Sequence, residues 1–281
     1  MLTQGISVLT IIIIAFIVFD FVLDFILSSL NSKTWDLPIP KELEGIYDEE
    51  QYAKARQYHK AKEQLSSITT VFSTLLIIAF IAFKGFALVH IQIETITSSP
   101  VLQALLFFGA FSVVSDIIGL PFELYGIFVI EEKFGFNKMT WKTYIADKLK
   151  GYLLGAIIGG VLLSLFVWFF MLSGSNFWIY AWILFSVFTL FFTMFYTSLI
   201  VPIFNKLNPL EAGSLREKIE AFAKKVSFPL TNIFVIDGSK RSTKANAYFS
   251  GLGSKKTIVL YDTLKIGEHT SELQSLSSIS Y

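Results

Sequence analysis

Gly151 to Asn205 is a run of 55 residues without one charged side chain. As a single helix it would reach about 80 Å, against a hydrocarbon core of about 30 Å. The run therefore has to double back as two membrane helices. Ser173-Gly174-Ser175-Asn176 supplies the turn chemistry inside it, giving spans of about Tyr152–Leu172 and Phe177–Ile203. Trp168, Trp178, Tyr180, Trp182 and Tyr196 suit aromatic belts at the two membrane interfaces.

Three more apolar runs precede this pair. Ile6 to Leu27 holds 17 Ile, Leu, Val or Phe residues, which favour insertion by about 5 to 10 kcal/mol. Asp20 and Asp24 sit off-centre in it, so each costs less than the roughly 3 kcal/mol of a central charge. The two acids either face a hydrated chamber or a cation, or snorkel to water. Without a basic n-region, and with so long a core, the run does not read as a cleaved signal peptide. Ile68–Val89 is the second span, with Lys84 snorkelling near its far end. Val101–Leu124 is the third, with Asp116 and Glu123 toward its exit and Pro121 read as a helix break. Between spans one and two, Lys41 to Leu65 reads as a charged helix interleaved with Tyr47, Tyr52 and Tyr58. A polar connection, Ile130–Lys150, follows span three, with an amphipathic helix from Thr140.

Composition fits five spans. Charged residues make up 16% of the chain, where soluble proteins average about 25%. The net charge of +1 gives no pull toward an acidic partner, so no nucleic acid is expected. The chain has no Cys, which excludes disulfides and thiolate metal sites. Of 23 Lys and Arg, six lie between spans one and two, five between spans three and four, and eleven after span five. With five spans these segments share one side. The positive-inside rule makes that side the cytoplasm and leaves the N-terminus outside.

Beyond Pro202 the chain becomes soluble in character. Ser214-Leu215-Arg216-Glu217 has a capping-box pattern, and Leu215, Ile219, Phe222, Ala223 and Val226 make a stripe at helical spacing. Asn232–Asp237, Ala245–Phe249 and Thr257–Tyr261 read as strands, with the basic loop Ser239–Lys244 between the first two. That loop is either plainly solvated or touches anionic headgroups or a substrate carboxylate. The fold class is thus an α-helical integral membrane protein of about five spans with a small cytoplasmic α+β segment. Domains are expected at 1–205 and 206–264, followed by a tail at 265–281.

Several ordered motifs resemble one family. Leu120–Lys138 (LPFELYGIFVIEEKFGFNK) looks like the exit of its third span. Asp48-Glu49-Glu50-Gln51-Tyr52, Pro202–Lys206 with Pro209-Leu210, Val235–Gly251 and Thr257–Leu264 match further segments in order. The resemblance is to the membrane zinc metalloproteases of the CAAX prenyl protease type. It implies seven spans around a chamber, an HExxH zinc site with a distal Glu, and cleavage of prenylated or other membrane-associated peptides. It also implies that an edge strand grips the substrate backbone by strand addition. Carried over, Asn246, Ala247 and Tyr248 are the substrate-binding residues.

Zinc is the family's cofactor, yet the three His are followed by no HExxH pattern. His59 precedes Lys-Ala-Lys-Glu63, His90 precedes Ile-Gln-Ile-Glu94, and His269 precedes Thr-Ser-Glu272. His90 and Glu94 have helical ligand spacing, but two ligands are too few for zinc. Glu268–Glu272 resembles the entry of the zinc helix, and a Ser-rich stretch follows. The expectation is a family member cut short near Glu272, with no catalytic or metal ligands and no activity of its own. The competing readings are a non-catalytic membrane module that captures peptides, and a five-span transporter or scaffold using Asp20 and Asp24.

Overall fold

Inside a bilayer every backbone N–H and C=O needs a partner within the chain, so apolar runs of this length fold as helices. The computed structural model describes residues 7–35, 37–38, 49–253 and 256–266. The chain forms two compact units, dividing between Phe134 and Gly135. Among the described residues, four helical stretches are long and apolar enough to cross a membrane, and their apolar windows are not buried inside the protein. Val8, Phe16, Trp178 and Trp182 are typical of side chains left facing outward. Exposed apolar surface on this scale belongs against lipid.

The first unit holds helices α1 (Val8–Thr34), α2 (Glu49–Ala82), α3 (Gly85–Ile96) and α4 (Pro100–Tyr125). From Glu49 on, the expected charged helix and the apolar run after it are one continuous helix, α2, while Lys41–Asp48 lie outside the described residues. The expected span Ile68–Val89 is in turn not one helix, because the chain breaks at Phe83-Lys84. Lys84 is left-handed there, with φ 57°. Gly85 lies under the Phe80 ring, where a Cβ would come within 2.5 Å of a ring carbon. Phe80, Phe86, Phe107 and Phe111 then join α2, α3 and α4, with ring centroids 4.7 to 5.4 Å apart.

Pro121 does not break its helix either. It lies inside α4, which continues as a π-helical turn, Gly126–Glu131. Membrane helices tolerate an internal proline because local readjustment satisfies the freed carbonyls. The change in winding comes five residues later, where Gly126 meets Leu65 of α2. The Tyr58 hydroxyl donates to Glu131 at 2.6 Å, Lys62 lies 3.6 Å from the same carboxylate, and the Tyr58 ring stands edge-on to Phe134. The end of the third span is thereby pinned to the charged end of α2.

In the second unit, the Thr140 hydroxyl caps α5 (Trp141–Leu154), as the sequence suggests. A π turn (Gly155–Gly159) carries the helix into α6 (Gly160–Ser173) without a break. The chain reverses at Gly174, φ 52° and ψ −123°, within the expected turn, and α7 (Phe177–Leu199) returns. Phe166 against Phe177 at 4.9 Å and Phe169 against Tyr180 at 5.8 Å close the hairpin.

After α8 (Val201–Phe204) come β1 (Leu207–Pro209), α9 (Ser214–Lys225), β2 (Leu230–Ile236), β3 (Ala247–Ser250), β4 (Lys256–Tyr261) and α10 (Asp262–Ile266). The sheet order is β1-β2-β4-β3, with β2 and β4 parallel and both outer strands antiparallel. Leu210, Ile233 and Leu260 form its core, with Ile219 of α9 packed on them. Of the predicted stripe, Ala223 is buried while Phe222 and Val226 stay exposed. The residue capping α9 is Gly213 rather than Ser214, and the expected side-chain cap is not made. The protein is therefore a helical integral membrane protein with a small mixed sheet near its C-terminal end. Sequence character changes at Asn205, but the chain on either side of it belongs to the same unit.

One side chain ties the sheet's loop to the helices of that unit. Arg241 makes a bidentate pair with Asp147 of α5, at 2.7 and 3.0 Å. It also donates to the Asn205 side chain and to the Phe204 carbonyl. The basic loop is thus a structural clamp and not a solvated segment. Removing one partner of a mostly buried ion pair strands the other. Arg241→Met should destabilise the second unit by about 3 kcal/mol. Denaturant titration in detergent measures it, and Arg241→Met with Asp147→Asn should recover part of the loss.

Candidate functional site

Of the three residues singled out by sequence, Ala247 and Tyr248 lie on strand β3, and Asn246 immediately precedes it. This strand is one of the two edge strands of the sheet and, among the described residues, pairs with β4 alone. Side chains alternate along it, so Asn246, Tyr248 and Ser250 share one face, and Ala247 and Phe249 the other. Ser250 hydrogen-bonds to Thr197, a buried residue near the end of α7. The face bearing Tyr248 is thereby held against the last membrane helix. Phe249 is 75% exposed on the opposite face.

Backbone direction sets which groups remain free. The Asn246 carbonyl accepts from Tyr261 N–H at 3.0 Å and so points into the sheet. Strand alternation then turns the N–H and C=O of Ala247 and of Phe249 toward the open edge. The Asn246 side-chain oxygen accepts from that Ala247 N–H at 2.8 Å. One outward donor is therefore closed by the neighbouring side chain.

Tyr248 and Tyr261 are fixed more firmly. Burial pushes the Tyr248 phenol above its ordinary pKa, the Thr197 hydroxyl beside it pulls the other way, and Tyr261 and Tyr196 add to the rise. Tyr261 is raised likewise, by burial first and then by Tyr196, against the lowering effect of Arg241. Three phenols thus gather where the sheet meets α7, and those of Tyr248 and Tyr261 are held neutral. Gly238 permits this, since a Cβ there would stand 2.3 Å from the Tyr261 ring.

The two motif segments that looked separate in sequence pair with each other. Lys138 N–H donates to the Arg241 carbonyl, and Thr243 N–H to the Phe136 carbonyl, both at 3.0 Å. Lys244 lies over the Phe136 ring at 4.8 Å. From the other side Asp262 accepts from Ser239 N–H at 2.8 Å, and the Thr263 hydroxyl donates to the Lys244 carbonyl at 3.0 Å. The loop leading into β3 is laced on both flanks, which fixes where the edge strand begins. Sequence reading missed this lacing and missed β1, a strand of three residues ending in Pro209.

The remaining candidates do not join this site. His59 stacks on Trp35 at 4.1 Å and lies 3.9 Å from Glu63. His90 pairs with Glu94 at 3.3 Å on an exposed turn of α3. Asp20 is exposed on α1, and Asp24 lines a cavity between α1 and α2. Asp48, His269 and the stretch Glu268–Glu272 lie outside the described residues. Among the described residues no three His, Cys, Asp or Glu side chains converge. The described residues therefore do not fit a zinc ion.

Comparison with known proteins accounts for nearly all of the chain. Residues 28–206 match the family described as CAAX prenyl protease N-terminal, five membrane helices. Residues 209–276 match peptidase family M48. The CAAX prenyl protease 1 of Saccharomyces cerevisiae is 37% identical over 255 residues, covering 87% of this chain and 56% of that protein. The probable CAAX prenyl protease 1 of Schizosaccharomyces pombe is 38% identical, covering 86% and 56%. The chain thus spans just over half the length of these curated relatives. The crystal structure of S. mikatae Ste24p superposes with a TM-score of 0.86 at 37% identity, over 93% of this chain and 63% of that one. The chain belongs to the CAAX prenyl protease family of M48 metallopeptidases, with residues 28–206 in the membrane region and 209–276 in the peptidase region.

Proposed function

We propose that this chain forms the membrane-embedded, substrate-gripping part of a zinc metalloendopeptidase that acts on prenylated CAAX-type or other membrane-associated peptides. The observation that carries the reading is the open edge of β3, tied to α7 through Ser250 and Thr197. A peptide laid along that edge gains main-chain hydrogen bonds from Ala247 and Phe249. Asn246 releases the Ala247 N–H on engagement, and Tyr248 anchors the strand from its other face. By this reading residues 1–205 supply the five-span wall and 206–264 the peptide-holding portion.

HExxH occurs nowhere in the 281 residues, so the family's zinc ligands and general base are not among them. The chain on its own therefore holds a peptide without cutting it. Orientation follows from its basic residues, which gather in three segments sharing one side. That side is cytoplasmic and includes the sheet, and the N-terminus lies outside.

Three measurements test this reading. Binding of a fluorescent farnesylated peptide to the detergent-solubilised chain should weaken about tenfold in Ala247→Pro, which removes an edge donor, and in Tyr248→Ala. Unchanged affinity in both, with the sheet intact by circular dichroism, would refute the grip. Metal analysis of the purified chain should find no stoichiometric zinc and no cleavage of that peptide; tight zinc with peptidase activity contradicts the non-cleaving state. Because the chain has no Cys, single cysteines report sidedness. Ser98→Cys should react with a membrane-impermeant maleimide on intact cells, and Lys218→Cys only after permeabilisation.

A further inference from the structure

A cavity of about 590 Å³ opens between α1 and α2, a size ordinary for small-molecule sites. Asp24, Ser28 and Asn31 line it from α1, and Ser66, Ser67 and Thr70 from α2. On α1 these positions follow helical spacing, so one polar stripe runs along an otherwise lipid-grade helix. Asp24 is exposed and forms no hydrogen bond or ion pair with another described residue. Among the described residues, the lining has no Lys or Arg. A further acidic group lies beside it, since Ser28 donates to Glu63 at 3.0 Å. The cavity therefore favours a cation and has hydroxyl and amide donors beside it.

Its depth follows from α2. From Glu49 to Glu63 the helix carries seven charged residues, and then none until after its end at Ala82. Ser66, Ser67 and Thr70 occupy the first turns past that boundary. That is the level at which phospholipid headgroups meet hydrocarbon. Phe21 and Phe25, whose rings stack at 6.3 Å, supply apolar wall beside the polar groups.

We propose that this cleft holds the headgroup of a primary-amine phospholipid of the phosphatidylethanolamine type. Its ammonium donates to Asp24, and its phosphodiester accepts from the hydroxyls of Ser66, Ser67 and Thr70 and the amide of Asn31. Asp24 selects against phosphatidylglycerol and phosphatidylserine, which bring net negative charge. A choline headgroup has no N–H to give the carboxylate. The bound lipid would satisfy the polar stripe of α1 and hold that helix on α2.

Native mass spectrometry of the full chain, released from nanodiscs of equal phosphatidylethanolamine, phosphatidylcholine and phosphatidylglycerol, tests the assignment. Phosphatidylethanolamine should be retained about tenfold over either other lipid, and Asp24→Asn should abolish that preference. Asp20→Asn, on the same helix but outside the lining, should keep it. Thr70→Val, which preserves shape, should lower retention about threefold and reads the phosphate half independently of the carboxylate. Equal retention of the three lipids, a preference that survives Asp24→Asn, or capture of a soluble lysine peptide in place of lipid would overturn the proposal.

Discussion

A bilayer gives a peptide group nothing to hydrogen-bond with, and the described part of this protein is arranged around that fact. Helical winding is altered at the end of the third span, Gly126–Glu131, and between α5 and α6 at Gly155–Gly159, and both alterations are π turns. A π turn keeps every carbonyl paired one residue further along. The same requirement explains why Pro121 sits inside α4 without ending it. Breaks in the backbone fall instead at Lys84 and Gly174, where φ turns positive. Sheet structure begins only at Leu207, after the last uncharged residue of the long run.

The second unit solves the complementary problem of attaching a small soluble sheet to membrane helices. Its buried core is modest, resting on Leu210, Ile233 and Leu260. A core of that size fixes which strands pair but gives little hold on anything outside the sheet. The hold comes from polar contacts of defined direction, namely Arg241 on Asp147, Asn205 and Phe204, and Ser250 on Thr197. Directional bonds of this kind specify position as well as contributing stability. They place the outer strand and its tyrosines against the end of α7.

Periodicity and length made the membrane part legible in sequence. The uncharged run demanded a reversal, and its turn residues named the place. The helical class and the presence of strands followed from the same patterns. What sequence could not give was continuity. Nothing in the apolar count shows that the charged segment before Ile68 and the run after it form one helix, or that Phe80 requires a glycine at position 85. The roles of Arg241 and Asp262 were also hidden, because a basic loop and a lone acid look solvated until their partners, up to 94 residues away, are seen. Motif resemblance named Asn246, Ala247 and Tyr248, but only backbone direction separates the residue that closes the edge from the one that offers it.

That separation bears on how an exposed edge is kept usable. A free strand edge invites pairing with any extended chain, and proteins usually block it outright. Here the blocking group at Ala247 is the side-chain oxygen of the preceding residue, Asn246, in a neutral hydrogen bond. Such a bond contributes about 1 kcal/mol net. A stray contact offering one hydrogen bond gains nothing by displacing it. A peptide that pairs with both Ala247 and Phe249 exchanges one weak bond for several and comes out ahead. On the proposed function, the edge would be closed to incidental partners and open to an extended peptide, provided that the strand behind it does not move. Ser250 on Thr197, and the laced loop from Ser239 to Lys244, are what keep it still.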